Sequence, residues 1–223
     1  MYDIKANLSK SRERIRDHGE VFTPDFIVED MLNLVINETQ RIESRFLEPA
    51  CGDGNFLIKI LERKLEVVKR NYRKSQFDYE RYSLLAISSL YGVELLEDNT
   101  KKARARLYDY FFKQYCKLYK EAINSEFLKN IEYLLNRNII QGDALTLKDP
   151  NGEPIVFSEW SLANGKKIKR RDFQYSDLAT LDQNNPSLFS ISETSDTGET
   201  VFSPLPVKEY PLINLMEIYK AYE

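Results

Sequence analysis

Histidine and cysteine are scarce in this chain. One histidine, His18, and two cysteines, Cys51 and Cys116, occur in 223 residues. A single imidazole rules out a histidine-rich metal centre, and a Ser–His–Asp triad would have to be built on His18. No metal-like cluster accompanies the cysteines, so no metal is expected. Long apolar runs are lacking too, and no segment approaches the length of a membrane span. Met1 to Arg16 is charged and has no apolar core of a signal peptide. The expectation is therefore a chain without a membrane segment, with the cytoplasm as its default location. A charge excess of one sign is also missing. The 32 Lys and Arg against 35 Asp and Glu give a net −3. That excludes a wholly basic nucleic-acid binder and leaves room for a local basic face.

What is present is enough apolar material, 42% of residues, for a packed core. Residues 1–20 read as a polar, Lys- and Arg-rich arm. Thr23 is a good N-cap and Pro24 suits a first helical position, so a helix is expected from about Pro24 to Thr39. Arg45 to Pro49 reads as a short strand, ending in Cys51-Gly52-Asp53-Gly54-Asn55. A long amphipathic helix starts near Phe56, with Leu57, Ile60, Leu61, Leu65 and Val68 on one face. Phe77 to Leu90 reads as helix, Leu90 to Leu95 as strand, Asn99 to Lys120 as helix and Asn138 to Gln141 as a third strand. This alternation predicts an α/β fold with a parallel sheet and right-handed crossovers. Beyond Pro150 the texture changes. Pro154 to Trp160 and Lys166 to Phe173 read as a hairpin around Asn164-Gly165. Asp182 to Pro206 is rich in Ser, Thr, Asn and Pro and reads as loop, and Tyr210 to Tyr222 as a short last helix.

Four segments follow in a set order: Gly19 to Pro24, Phe46 to Phe56 (Phe-Leu-Glu-Pro-Ala-Cys-Gly-Asp-Gly-Asn-Phe), Tyr91-Gly92-Val93-Glu94, and Ile140 to Leu145. A glycine turn between a first strand and its helix lets the backbone come close to a ligand, since no Cβ intrudes. A carboxylate at the end of the second strand, Glu94, suits the two hydroxyls of a ribose. One after the third, Asp143, suits an adenine amino group. Taken singly, each has a plainer reading: Gly-Asp-Gly as a common turn, Glu94 and Asp143 as solvated acids, Cys51 as a small buried residue. Together and in order, the segments resemble the adenine-N6 DNA methyltransferases of restriction–modification systems. The likeness covers roughly Gly19 to Leu145.

That resemblance implies a Rossmann-like class I methyltransferase sheet with helices on both faces, spanning residues 21–180, and S-adenosylmethionine as cofactor. Residues 181–223 then make a polar loop and a short C-terminal helix. The implied cofactor-binding residues are Phe22, Thr23, Glu48, Pro49, Ala50, Cys51, Gly52, Asp53, Gly54, Phe56, Glu94, Leu95, Asp143, Ala144 and Leu145. Gly52 and Gly54 would lie beside the methionine part and Asp53 would meet its ammonium. Thr23 would close over the methionine carboxylate, and Ala144 and Leu145 would pack on the adenine. DNA is the implied partner, together with a specificity or catalytic subunit.

The sequence departs from the family pattern at one point. The tetrapeptide of Asp, Asn or Ser, then Pro-Pro, then an aromatic, which holds the flipped base, is not found. Ser158, Glu159 and Trp160 stand where the fourth strand would end and are the substrate-side candidates. Trp160 reads equally as a packed hairpin residue. Asn185-Pro186-Ser187-Leu188 is a poorer match. About sixty residues follow Trp160, so the sheet is expected to be truncated or to end in an atypical hairpin. A non-catalytic subunit that retains the cofactor pocket is the alternative function. The basic run Lys166, Lys167, Lys169, Arg170 and Arg171 fits either phosphate contacts or a charged edge strand.

Overall fold

A computed structural model describes residues 23–179, 190–194 and 200–221. The basic arm, Phe22 and Asn185 to Leu188 lie outside the described residues. In chain order the elements run α1 (Asp25–Asn33), α2 (Ile36–Thr39), β1 (Phe46–Glu48), α3 (Asn55–Tyr72), α4 (Gln76–Ser88), β2 (Leu90–Glu94), α5 (Glu97–Tyr119), α6 (Ser125–Asn138) and β3 (Ile139–Gln141). Then come β4 (Val156–Leu162), β5 (Lys167–Gln174), α7 (Tyr175–Ala179), β6 (Ser190–Thr194), β7 (Thr200–Pro204), β8 (Lys208–Glu209), β9 (Ile213–Asn214) and α8 (Ile218–Ala221).

The first of these helices departs from its expected form. Pro24, not Thr23, is the N-cap, because the Pro24 carbonyl accepts from the amides of Ile27 and Val28 at 3.0 and 3.1 Å. Val35, at φ −120° and ψ 35°, leaves helical geometry and splits the expected single helix. α3 buries the anticipated stripe of Leu57, Ile60, Leu61, Leu65 and Val68. α4 starts at a Ser75 cap whose side chain accepts from the Asp78 amide. α6 was not anticipated. Its Asn124 cap accepts from the Phe127 amide, and Phe127, Leu128, Ile131, Leu134 and Leu135 form its buried stripe.

β1, β2 and β3 make a parallel sheet in that order, with Phe46 opposite Leu90, Glu48 opposite Gly92 and Glu94 opposite Gln141. Successive residues face opposite ways, and the two faces have different covers. Leu90 and Ile139 join one large core with Leu57, Leu61, Leu107, Phe111, Ile131 and Leu134 from the long helices. Tyr91 and Val93 face a second, smaller core of Ile155, Phe157 and Tyr175. Helices on both faces were expected. Instead the long helices gather on one face, and the base of the hairpin, with Tyr175 opening the short α7, covers the other.

The β4–β5 hairpin has the expected antiparallel pairing, Val156 opposite Gln174 through Leu162 opposite Ile168, and Gly165 takes a positive φ of 70° in its turn. β8 and β9 pair with the outer edge of β5. Residues 205–221 are therefore part of the packed body, with Leu215 and Ile218 fully buried, where a polar loop leading to a helix was expected. They meet α6 through Asn130, which donates to the Leu215 carbonyl and accepts from the Tyr219 amide.

Candidate functional site

The carboxyl ends of the three parallel strands are knotted around Glu94. Its Oε2 accepts from the Gly52 amide at 2.8 Å and its Oε1 from the Leu96 amide at 3.0 Å. Its backbone carbonyl accepts from the Gly142 amide at 2.9 Å. The Cys51 amide meets the Val93 carbonyl at 3.0 Å. The buried carboxylate thereby joins the turn after β1 to the start of α5, and the backbone carbonyl of the same residue adds the loop after β3. Gly52, Glu94 and the Gly142-Asp143 loop, far apart in sequence, form one rim.

Three glycines allow this closeness, each differently. Gly52 has φ 54°, and a Cβ there would meet nothing within 4 Å, so the space above it is open. Gly54 caps α3 at φ 90°, and a Cβ would lie 3.2 Å from Ala103 Cβ on α5. Gly92 lies against Cys51 Sγ and Leu57 Cδ1, where a Cβ would come to 3.0 and 3.1 Å. A side chain at Gly92 would push the glycine turn off the strand.

Around the rim, Leu95 is 54% exposed and Leu145 94% exposed. Both present apolar surface to solvent beside the acids. Asp143 accepts from the Leu145 amide at 2.8 Å, and that bond holds its carboxyl below the usual carboxylate range. Ala144 packs beneath, against the smaller core. Thr23 joins the same corner, since Asn55 Nδ2 donates to its carbonyl at 3.0 Å. Pro49 and Ala50 are exposed on the turn. Glu48 and Phe56 line a cleft of about 200 Å³ with Met31, Val35 and Leu47. Burial pushes the Glu48 carboxyl upward, against the pull of the Ala50 amide. Burial, with the nearby Glu94 and Glu48, pushes the Cys51 thiol up to about 12, so it stays protonated and unreactive.

Asp53 is not where the sequence pattern puts it. Its buried carboxylate turns to α5 and pairs with Lys102 Nζ at 2.7 Å and Arg106 Nη1 at 2.6 Å. Both cations come from α5, so the Asp53 carboxylate is engaged by that helix rather than by a group of the rim. Lys102 and Arg106 were overlooked because their reason for being there, a partner fifty residues earlier, has no local signature. Their i, i+4 spacing on α5 opposite the glycine turn was the available signal.

Ser158, Glu159 and Trp160 also differ from expectation. Ser158 is fully buried, and its Oγ donates to Asp172 Oδ1 at 2.7 Å while accepting from Arg137 Nε at 3.1 Å. Glu159 accepts from Arg45 at 2.5 Å and Arg171 at 3.0 Å. Trp160 is buried edge-on to Tyr133 at 6.3 Å, under the Arg170 guanidinium. All three are consumed by packing between the hairpin, α6 and β1, and none lies open to a base. Arg170 and Arg171 of the basic run are likewise tied inward, to Asp172 and Glu159. Lys169 pairs with Glu209 on β8.

Among the described residues no group of His, Cys, Asp and Glu is placed to hold a metal, and no helix is long and apolar enough to cross a membrane. No family model, no curated protein and no solved structure matches this chain.

Proposed function

We propose that the rim around Glu94 binds S-adenosylmethionine, and that this chain is a cytoplasmic restriction–modification protein related to adenine-N6 DNA methyltransferases. The observation that carries the proposal is the Glu94 knot: a carboxylate at the end of β2, bonded to Gly52, whose open side leaves room for a ligand. The donor set fits the cofactor. Glu94 Oε1 already accepts from the Leu96 amide and from Asn99 Nδ2, while Oε2 accepts only from the Gly52 amide and keeps acceptor capacity for a ribose hydroxyl. Leu95 and Leu145 offer apolar flanks for an adenine, and the half-buried Asp143 carboxylate an acceptor for its amino group. The bound cofactor would supply an electrophilic methyl group. What the chain contributes is binding and orientation, the proximity part of catalysis.

The test is a calorimetric titration with S-adenosylmethionine. Glu94→Gln keeps the side-chain volume, removes the charge that favours hydroxyl donors and sets an NH2 against the Gly52 or Leu96 amide. Its affinity is expected to fall about tenfold or more, the loss of one charge-assisted hydrogen bond. Unchanged affinity with an unchanged circular dichroism spectrum would sink the assignment.

A second reading, a subunit that holds cofactor but does not itself transfer the methyl, is favoured by a specific observation. β1 is an edge strand among the described residues, and Leu47, on the face opposite the long helices, is 41% exposed. Parallel sheets are normally covered on both faces, so this edge suits further polypeptide carrying the transfer site. Labelled methyl transfer to mixed-sequence DNA separates the readings. Transfer by the chain alone supports the first, and binding without transfer supports the second.

A further inference from the structure

We infer that Arg106 is a positioning residue of the rim, a role that rests on reading the rim as the cofactor pocket. Arg106 lies on α5, one turn beyond Lys102, and its guanidinium spans two partners on the glycine turn. Nη1 donates to the Asp53 carbonyl at 2.8 Å and lies 2.6 Å from Asp53 Oδ1. Nη2 donates to Asn55 Oδ1 at 3.2 Å. The Asn55 amide is thereby fixed in one orientation, with its nitrogen turned the other way. That nitrogen donates to the Thr23 carbonyl at 3.0 Å and to Asp25 Oδ1 at 3.3 Å. A continuous tie therefore runs from α5 through Arg106 and Asn55 to Thr23, the segment that borders the rim from the α1 side.

The parts are not interchangeable. Only a planar fork engages Asp53 and Asn55 at once, whereas a lysine there would be a point charge with one favoured partner. Asn55 accepts through its oxygen and donates through a separate nitrogen, so it can receive the guanidinium on one side and bond the Thr23 carbonyl on the other. Asp53, in contrast, has a second cation in Lys102 at 2.7 Å. Its charge stays compensated when Arg106 is removed. Loss of Arg106 therefore releases Thr23 without leaving a buried charge alone, which separates a positioning effect from general unfolding.

The experiment compares the wild type, Arg106→Met, Arg106→Lys, Asn55→Ala and the Arg106→Met/Asn55→Ala double variant. Two readouts are used, amide hydrogen exchange without ligand and S-adenosylmethionine titration. Exchange at Ile27 and Val28, the first bonded amides of α1, is expected to speed up about tenfold in either single variant, with Ile60 and Leu61 in α3 unchanged. Cofactor affinity is expected to fall about tenfold in each single variant. The double variant should lose no more than either alone, because both cut one tie. Arg106→Lys should behave like Arg106→Met. Unchanged exchange at Ile27 and Val28, additive losses in the double variant, or full function in Arg106→Lys would each overturn the inference. If the wild type itself fails to bind, the pocket reading fails while the exchange data still judge the tie. If Arg106→Met does not fold, Arg106→Lys gives the exchange comparison.

Discussion

Lys64 shows how a single side chain can set a pH dependence for the whole chain. It is fully buried on α3, and its Nζ donates to the carbonyls of Ile42 and Ser44 and to Ser89 Oγ. Burial pulls its ammonium down to about 7, with Glu43 and Glu38 pulling the other way. The unfolded lysine titrates near 10.4. Between these values the unfolded chain holds a proton that the folded chain has released, so stability rises with pH across the window from about 7 to about 10. Below about 7 both states are protonated and the cost of burying the charge is at its largest. Lys64→Met should remove a slope approaching about 1.4 kcal/mol per pH unit in that window, measured by urea unfolding at pH 6, 8 and 9.5. Parallel curves for the two proteins would refute it. Gly54 makes a second residue-scale case. Its φ of 90° and the 3.2 Å approach to Ala103 mean that Gly54→Ala should cost about 1–3 kcal/mol. The loss should appear as a lower denaturant midpoint. The glycines were legible in the sequence as a turn. That one of them needs α5 at its back was not, because Ala103 has no signature of its own.

At the scale of elements, the hairpin is held by an ionic cluster where a surface sheet would normally have a polar face. Asp172 on β5 accepts from Arg170 Nε and Nη2 at 2.7 Å, from Ser158 on β4, from Arg137 on α6 and from Tyr210 of the C-terminal segment. Burial raises its carboxyl, but Arg170, Ser158 and Arg137 outweigh that and hold it below the usual range. Its contribution is therefore present above the unfolded value near 3.9 and is lost as the pH falls below it. Asp172→Ala leaves Arg170 buried without its main acceptor and is expected to cost about 3–5 kcal/mol in chemical unfolding. A loss below about 1 kcal/mol would show that the cluster is replaceable. Both strands of the hairpin and their turn were legible from alternation and Asn164-Gly165. The inward direction of Ser158, Glu159 and Trp160 was not, because strand alternation gives two faces without saying which one a neighbouring helix will cover.

For the molecule as a whole, the proposed ligand and the fold are linked by mass action. A ligand at a hundred times its dissociation constant adds about 2.7 kcal/mol to stability. For a chain of this size that corresponds to roughly 5–10 °C in melting temperature. S-adenosylmethionine should give such a shift in the wild type and only about half of it in Glu94→Gln, where a tenfold weaker site leaves about 1.4 kcal/mol; equal shifts in both would remove Glu94 from the site. The one-sided distribution of long helices, with the hairpin on the opposite sheet face and Leu47 left exposed, belongs to this scale as well. It follows from α6 and residues 205–221, neither of which the sequence reading placed in the core.

Local order was determined by the sequence alone: the βαβ alternation, the glycine turn, the acids at two strand ends and the hairpin turn. These depend on backbone dihedrals and on hydrophobic period, which neighbouring residues set. Tertiary structure decided which of the acids face outward. Asp53 and Asp143 look alike in sequence, yet one is neutralised by Lys102 and Arg106 from α5 while the other remains at the exposed rim. A charge turns toward whatever partner the packing brings to it, and that partner lies dozens of residues away.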